Sequence, residues 1–293
     1  MEGTSDVVLN LETSLTFSQT RFLVVGGNGY FGYKLVEALV GKGAQLVRVL
    51  DRQQTHFLGC PEVDFVVGDI CDAACVSRAV AGVDVVFHTA SYFGDPAFGS
   101  FGNGDMEWRV NVEGTRNVIN ALQQQQKQQE EVPVRLVYFG SSSSVFNGSV
   151  ALRNAPDDLP YPTHHVDHYG RCKAVAEQEV MQAHDPDRGL ATCVLRPNGI
   201  YGEHEIIHIP RVVRMAKLFF SCLPAYFDPT HLSDWTFVDN LIFASFLAAD
   251  KLAKEASLMG GKVYNITDGE PLGQLTFSPF FSQPPNFPFD VIH

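Results

Sequence analysis

The chain has 293 residues, 45% hydrophobic and 18% charged, which fits a globular protein with a substantial core and excludes an intrinsically disordered one. A formal charge of −12, from 21 basic and 33 acidic residues, argues against electrostatic affinity for nucleic acid or an anionic membrane surface. The six cysteines (Cys60, Cys71, Cys75, Cys172, Cys193, Cys222) form no Cys-x-x-Cys pair, and residues 1–20 lack the apolar segment of a secretory leader. No run reaches the roughly 18 apolar residues of a membrane span, so the expectation is a cytoplasmic chain with reduced thiols.

After the polar stretch 1–20, the run Arg-Phe-Leu-Val-Val-Gly-Gly at 21–27 reads as a strand ending in glycines. From Tyr30 to Val40, Phe31, Leu35, Ala38 and Leu39 recur at helical spacing. Strands are predicted at 45–51 and 64–70, and a helix at 71–82 that Gly82 closes. A fourth strand follows at 83–90. A long helix then runs from Met106 to Gln129, its glutamine-rich end a solvated extension. A fifth strand at 134–141 leads into a loop rich in Ser, Pro and His. Tyr169 to His184 reads as a helix, with Asp167 placed to cap it, and 190–197 as a sixth strand. Apolar strands alternating with helices at this spacing predict an α/β protein: a doubly wound, mostly parallel sheet covered on both faces.

The first chemical signal is Gly-Asn-Gly-Tyr-Phe-Gly, which follows the first strand and opens the first helix. Gly26, Gly29 and Gly32 suit a tight turn, close backbone approach to a pyrophosphate, and helix–sheet packing. Asp51 ends the second strand about 20 residues later, where a dinucleotide site needs an acid for the ribose hydroxyls. That acid would repel a 2′-phosphate and favours NAD over NADP, although Arg52 beside it softens the preference. The second signal is Tyr169 and Lys173, four apart on one helix face. An ammonium beside a phenol favours phenolate, as proton transfer at an alcohol carbon requires. The fifth strand ends in Ser141, Ser142, Ser143 and Ser144, at the sheet edge where ligands bind, so a serine hydroxyl is expected beside Tyr169.

With these residues the chain resembles the extended short-chain dehydrogenases/reductases, within them the 3β-hydroxysteroid dehydrogenase branch and its 42E-type members. The matching stretches run in order over about 21–275: "GGNGYFG", "VLD", "GDI", "VFHTAS", "VNVEGTRN", "HYGRCKAVAE", "LRPNGIYG" and "FVDNL". The resemblance implies a Rossmann-type sheet at 21–203, a small substrate-covering region at 204–277 packed on the same domain, and an irregular Pro/Phe tail at 278–293. For the cofactor it implies Gly26, Asn28, Gly29, Tyr30, Phe31 and Gly32 at the pyrophosphate, and Asp51 with Arg52 at the ribose. Asp69 with Ile70 would hold the adenine, and His88, Thr89, Ala90, Pro197 and Ile200 the rest of the cleft. Tyr169 would be the acid/base, Lys173 its partner, Asn111 the support of a proton relay, and Ser142 the serine, with Ser141 and Ser143 as neighbouring choices. The implied reaction is NAD-dependent oxidation of a secondary alcohol on an apolar, steroid-like substrate; the implied assembly is a homodimer, and family members associate with the endoplasmic reticulum membrane. Tyr92, Phe93, Phe98 and Phe101, together with 218–226, would wall a sterol-sized pocket.

Four other readings stay in view. His204-Glu205-Ile206-Ile207-His208 matches the HExxH zinc pattern. Pro210 follows two residues later, however, and the preceding "RPNGIYGE" belongs to the dehydrogenase pattern, so this stretch is expected as a loop beside the substrate cleft with no metal. His164, His165, His168 and Cys172 read as a polar approach loop. A nucleotide-sugar epimerase or dehydratase shares the scaffold, and a truncated, non-catalytic NAD-binding protein would keep the same motifs.

Overall fold

The computed structural model describes residues 13–57, 59–94, 104–126, 133–205 and 232–273. Seven parallel strands form one sheet: β1 (Arg21–Val25), β2 (Leu46–Asp51), β3 (Val63–Val67), β4 (Val85–His88), β5 (Val134–Phe139), β6 (Leu190–Pro197) and β10 (Val263–Ile266), in the order β10-β6-β5-β4-β1-β2-β3. Between β6 and β10 lie three short strands, β7 (Gly199–Tyr201), β8 (Leu232–Ser233) and β9 (Trp235–Phe237), with β7 paired to β9. The final strand, β11 (Leu272–Gly273), pairs with β8.

β1 shows why the sheet is covered on both sides. Its side chains alternate, so Phe22 and Val24 join one apolar cluster while Leu23 and Val25 join the other. On the first face α1 (Tyr30–Gly41) and α6 (Val238–Lys254) bring Leu35, Leu39, Leu241 and Phe246. On the second, α2 (Ala73–Val80), α4 (Gly114–Gln126) and α5 (His168–Gln182) bring Val76, Val118, Leu122 and Val180. Burial on both faces is what a parallel sheet needs, and it accounts for strands that read as apolar runs. A short helix α7 (Ala256–Met259) precedes β10.

Helix starts follow local chemistry. Asp72 accepts the amides of Ala74 and Cys75 to open α2, and Asp167 accepts the Gly170 amide at 2.7 Å to open α5. The helix expected from Met106 to Gln129 is divided: α3 (Gly104–Trp108) passes through a π turn at Arg109–Glu113 into α4. α6 covers the main sheet and β10 is its edge strand. None of the described helices is long and apolar enough to cross a membrane.

Leu35 is fully buried between α1 and the sheet. Leu35→Ala is expected to lower unfolding free energy by about 2–5 kcal/mol, read as a lower urea midpoint at unchanged slope.

Candidate active site

The strand order reverses between β1 and β4, and a crevice opens there beyond the carboxyl ends of the strands. It forms a cavity of about 330 Å³ lined by Gly26, Asn28, Gly29, Asp51, Arg52, Asp69, Ile70, Thr89 and Ala90 among the expected residues. Gly26 has φ +86°, and a Cβ there would lie 2.6 Å from the Ala90 backbone, so only glycine lets the β1 and β4 loops meet. A Cβ on Gly32 would come within 2.2 Å of the Gly26 carbonyl oxygen, whereas Gly29 is open towards the cleft. The Asp51 carboxylate is fixed by two backbone donors, Asn28 N at 3.0 Å and Arg52 N at 2.7 Å. The Asn28 side chain in turn bonds Thr55 and the His56 amide, tying down the loop after β2.

Other expected cofactor residues sit off this wall. Tyr30 and Phe31 turn into the core, Phe31 packing edge-on against Phe139 at 4.7 Å. His88 is fully buried, its Nε2 3.0 Å from Thr115 Oγ1 and its ring against Tyr138; burial and nearby Lys173 push it down to about 3, so it is a neutral core residue. Pro197 is buried in β6, and Ile200 lies in β7. Sequence reasoning passed over Ser91, Gln53, Gly68 and Val110, which line the cleft together with Tyr92, expected there as a wall of the substrate pocket. Ser91 was visible as the last residue of "HTAS".

At the next strand ends α5 presents Tyr169 and Lys173. Burial raises the pKa of the Tyr169 phenol, and the Ser91 and Ser141 hydroxyls oppose the rise. Ser142 Oγ donates to Asn198 Oδ1 at 2.9 Å, and of the strand-end serines it is the Ser141 hydroxyl that bears on the phenol's pKa. The reason is a 3₁₀ turn at Ser142–Ser144, which Ser141 caps by accepting the Ser143 amide. The turn carries Ser142 around towards β7 and β9. Lys173 is almost fully buried, with Nζ 2.5 Å from the Phe139 carbonyl and 4.4 Å from the Tyr138 ring centroid. Burial pushes its ammonium down to about 8, against an upward pull from Glu177. The ammonium expected to lower Tyr169 is therefore committed to the β5 carbonyl, while hydroxyls act on the phenol.

Two buried side chains hold this arrangement. Glu177 Oε1 accepts the Ser141 amide at 3.0 Å; Oε2 accepts Ser144 Oγ, Tyr161 OH and Arg196 Nη2 at 2.9, 3.1 and 2.7 Å. Its signal was present as a third member of the Tyr169–Lys173–Glu177 spacing. Asn111, in the π turn, exchanges two hydrogen bonds with the Tyr92 backbone and accepts Ser91 Oγ at 3.2 Å.

The two histidine clusters resolve differently. His204 and Glu205 lie in a turn after β7, His204 at φ +66°, while Ile206–His208 fall outside the described residues. A left-handed His204 does not begin a helix. His168 Nδ1 is 3.0 Å from Glu107 Oε2 and 3.4 Å from Cys172 Sγ, and His165 Nε2 is 3.1 Å from the Ser144 carbonyl. Among the described residues no group of three or more His, Cys, Asp or Glu is arranged to hold a metal ion. Phe98, Phe101 and the stretch 218–226 lie outside the described residues; Phe93 lies within them, half-exposed and edge-on to Tyr169 at 4.7 Å.

A parallel sheet in this order, with a glycine turn at its switch point and a Tyr-x-x-x-Lys helix beside it, defines an extended short-chain dehydrogenase/reductase. Solved structures agree at the level of fold. A dTDP-glucose 4,6-dehydratase from Streptomyces venezuelae with NAD bound superposes at TM-score 0.72 and 21% identity, over 89% of this chain and 80% of that one. The Bordetella bronchiseptica enzyme WbmF in complex with NAD⁺ gives 0.69 and 22%, over 91% and 78%. Residues 23–283 match the profile of the 3-beta hydroxysteroid dehydrogenase/isomerase family, and the chain belongs to that family. It is 34% identical over 279 residues to human sterol-4-alpha-carboxylate 3-dehydrogenase, decarboxylating, covering 94% of this chain and 69% of that protein. It is 39% identical over 273 residues to human short-chain dehydrogenase/reductase family 42E member 1, covering 87% and 65%. The chain thus spans about two thirds of these relatives' length.

Glu177→Ala leaves Arg196 buried without its carboxylate and the Ser141 amide without its acceptor. A loss of about 3–5 kcal/mol is expected, measurable by chemical denaturation, and NAD affinity measured under folding conditions should fall far less than turnover.

Proposed function

We propose that this chain is an NAD-dependent oxidoreductase that oxidises a secondary alcohol on a 3β-hydroxysteroid or sterol. The observation that carries the reading is a glycine-lined cleft holding a fixed carboxylate, Asp51, with Tyr169 and Lys173 carried together on α5. The cleft suits a dinucleotide: the open Gly29 backbone and the α1 N-terminus receive a pyrophosphate, and Asp51 receives ribose hydroxyls. Lys173 and Tyr169 would flank the nicotinamide ribose. When bound, the nicotinamide supplies the hydride acceptor.

The chain's own residues supply the proton chemistry. Tyr169 as phenolate would take the proton of the substrate hydroxyl, and Ser141, whose Oγ accepts the Ser143 amide, would turn its hydrogen to the same oxygen. The Phe93 ring, set edge-on to Tyr169, offers an apolar surface for a fused-ring substrate. The relatives' names place sterols carrying a 4α-carboxylate among the substrates to test.

The purified chain, given NAD and a panel of 3β-hydroxysteroids and 4α-carboxylated sterols, should generate NADH absorbance. Tyr169→Phe is expected to reduce kcat by about 10²–10⁴-fold with NAD affinity kept, and a chelator should leave turnover unchanged. Oxidation should accelerate as pH rises above neutral, because the raised Tyr169 pKa leaves the phenolate scarce there. NAD binding without turnover on any alcohol would refute the reading.

A further inference from the structure

We propose that Asn28 is a positioning residue for the dinucleotide: its side chain cross-links the glycine turn after β1 to the loop after β2 and so holds the adenosine end of the cleft ready-formed. The inference rests on the reading of the cleft as a dinucleotide site and concerns how tightly that site binds.

The orientation of the side-chain amide follows from its partners. The backbone N–H groups of Thr55 and His56 meet one atom of the Asn28 amide, at 3.3 and 3.1 Å, and since both can only donate, that atom is the oxygen. Thr55 Oγ1 sits against both amide atoms, 2.8 Å from Nδ2, whose N–H it accepts, and 3.0 Å from Oδ1. The side chain is thus engaged with the loop rather than with a pyrophosphate. The backbone N–H of the same residue donates to Asp51 Oδ2 at 3.0 Å. One residue therefore joins the glycine turn, the carboxylate at the end of β2 and the segment that follows it.

That segment needs a tether. Residues 52–57 carry no helix or strand, and the exposed Arg52 and Gln53 supply the outer wall of the cleft next to Asp51. The far end of the segment rests on α1, where the Tyr33 ring meets His56 at 4.6 Å and Phe57 at 5.2 Å between ring centroids. Asn28 supplies the grip between these two points. Freed at Thr55, the wall becomes a segment that a ligand has to order on binding, and that ordering weakens affinity. Thr55 itself is exposed and stands outside the cleft wall, so its influence on a bound nucleotide passes through Asn28 and the loop.

The test measures NAD and ADP-ribose binding to the full chain by calorimetry, with no alcohol present. Asn28→Ala and Thr55→Val should each raise both dissociation constants by about 3–10-fold. The double variant should bind no more weakly than the weaker single one, and Thr55→Ser should bind as the parent does. Where an alcohol is turned over, the same factor should appear in KM for NAD, with KM for the alcohol unchanged. Thr55→Val binding like the parent overturns the proposal whether or not Asn28→Ala folds, because Asn28 would then act by direct contact. Additive losses in the double variant overturn it as well, as does a parent that binds neither ligand. A parent that binds NAD yet oxidises no alcohol defeats the dehydrogenase reading alone, since the binding comparison still decides the role of Asn28.

Discussion

The site depends on a charge that water never reaches. Glu177 and Arg196 pair at 2.7 Å with side chains 0% and 1% exposed, and such a pair survives burial only if its remaining lone pairs and protons are satisfied. Here they are, by groups that matter to the site. The carboxylate receives the Ser141 amide, the Ser144 hydroxyl and the Tyr161 phenol; the guanidinium reaches the Asn265 side chain and the Asp157 carbonyl. One ion pair thereby joins α5, β6, β10, the serine turn and the loop before α5. Gly140 is part of the same constraint, since a Cβ there would meet Glu177 Oε1 at 2.2 Å. The serine turn is narrow because the carboxylate beneath it allows nothing wider.

Above this pair the electrostatics are set by burial more than by charge–charge attraction. Burial disfavours the ammonium of Lys173 and the phenolate of Tyr169 alike, moving one pKa down and the other up. A helical spacing of four puts the two residues on one face, but it says nothing of where a flexible four-carbon stem directs its nitrogen. In the fold that nitrogen meets the Phe139 carbonyl, the acceptor that β5 leaves at its end. The groups that favour the phenolate are then the neutral hydroxyls of Ser91 and Ser141.

What could be read from the residues was what repeats or what glycine enforces. The alternation of apolar strands and helices led to the doubly wound sheet, and the glycine turn with Asp51 located its crevice. β10 escaped because four residues, Val263–Ile266, are too short a run to stand out, and α6 because its apolar content is nearly continuous and lacks a polar face. Among Ser141–Ser144 the chemistry is identical at every position, so only the 3₁₀ turn could separate the one that bears on the Tyr169 phenol from the one held by Asn198. The family resemblance put His88 in the cofactor cleft. The parity of β4 sends its ring into the sheet face instead, against Tyr138.

Asn111 shows how one irregularity serves several of these needs. Val110, Asn111 and Val112 are all buried, and three consecutive buried positions cannot share one face of an α-helix turning 100° per residue. The π turn at Arg109–Glu113 accommodates the surplus residue and gives Asn111 its own direction, towards the loop after β4. The Asn111 carbonyl accepts the Thr115 hydroxyl at 2.7 Å, and Thr115 also meets His88. A polar side chain is thus carried into an apolar helix junction with both amide groups satisfied by the Tyr92 backbone. Its remaining acceptor capacity faces Ser91, at the threshold of the cleft. The break in the helix is what lets the core reach the cleft through a hydroxyl.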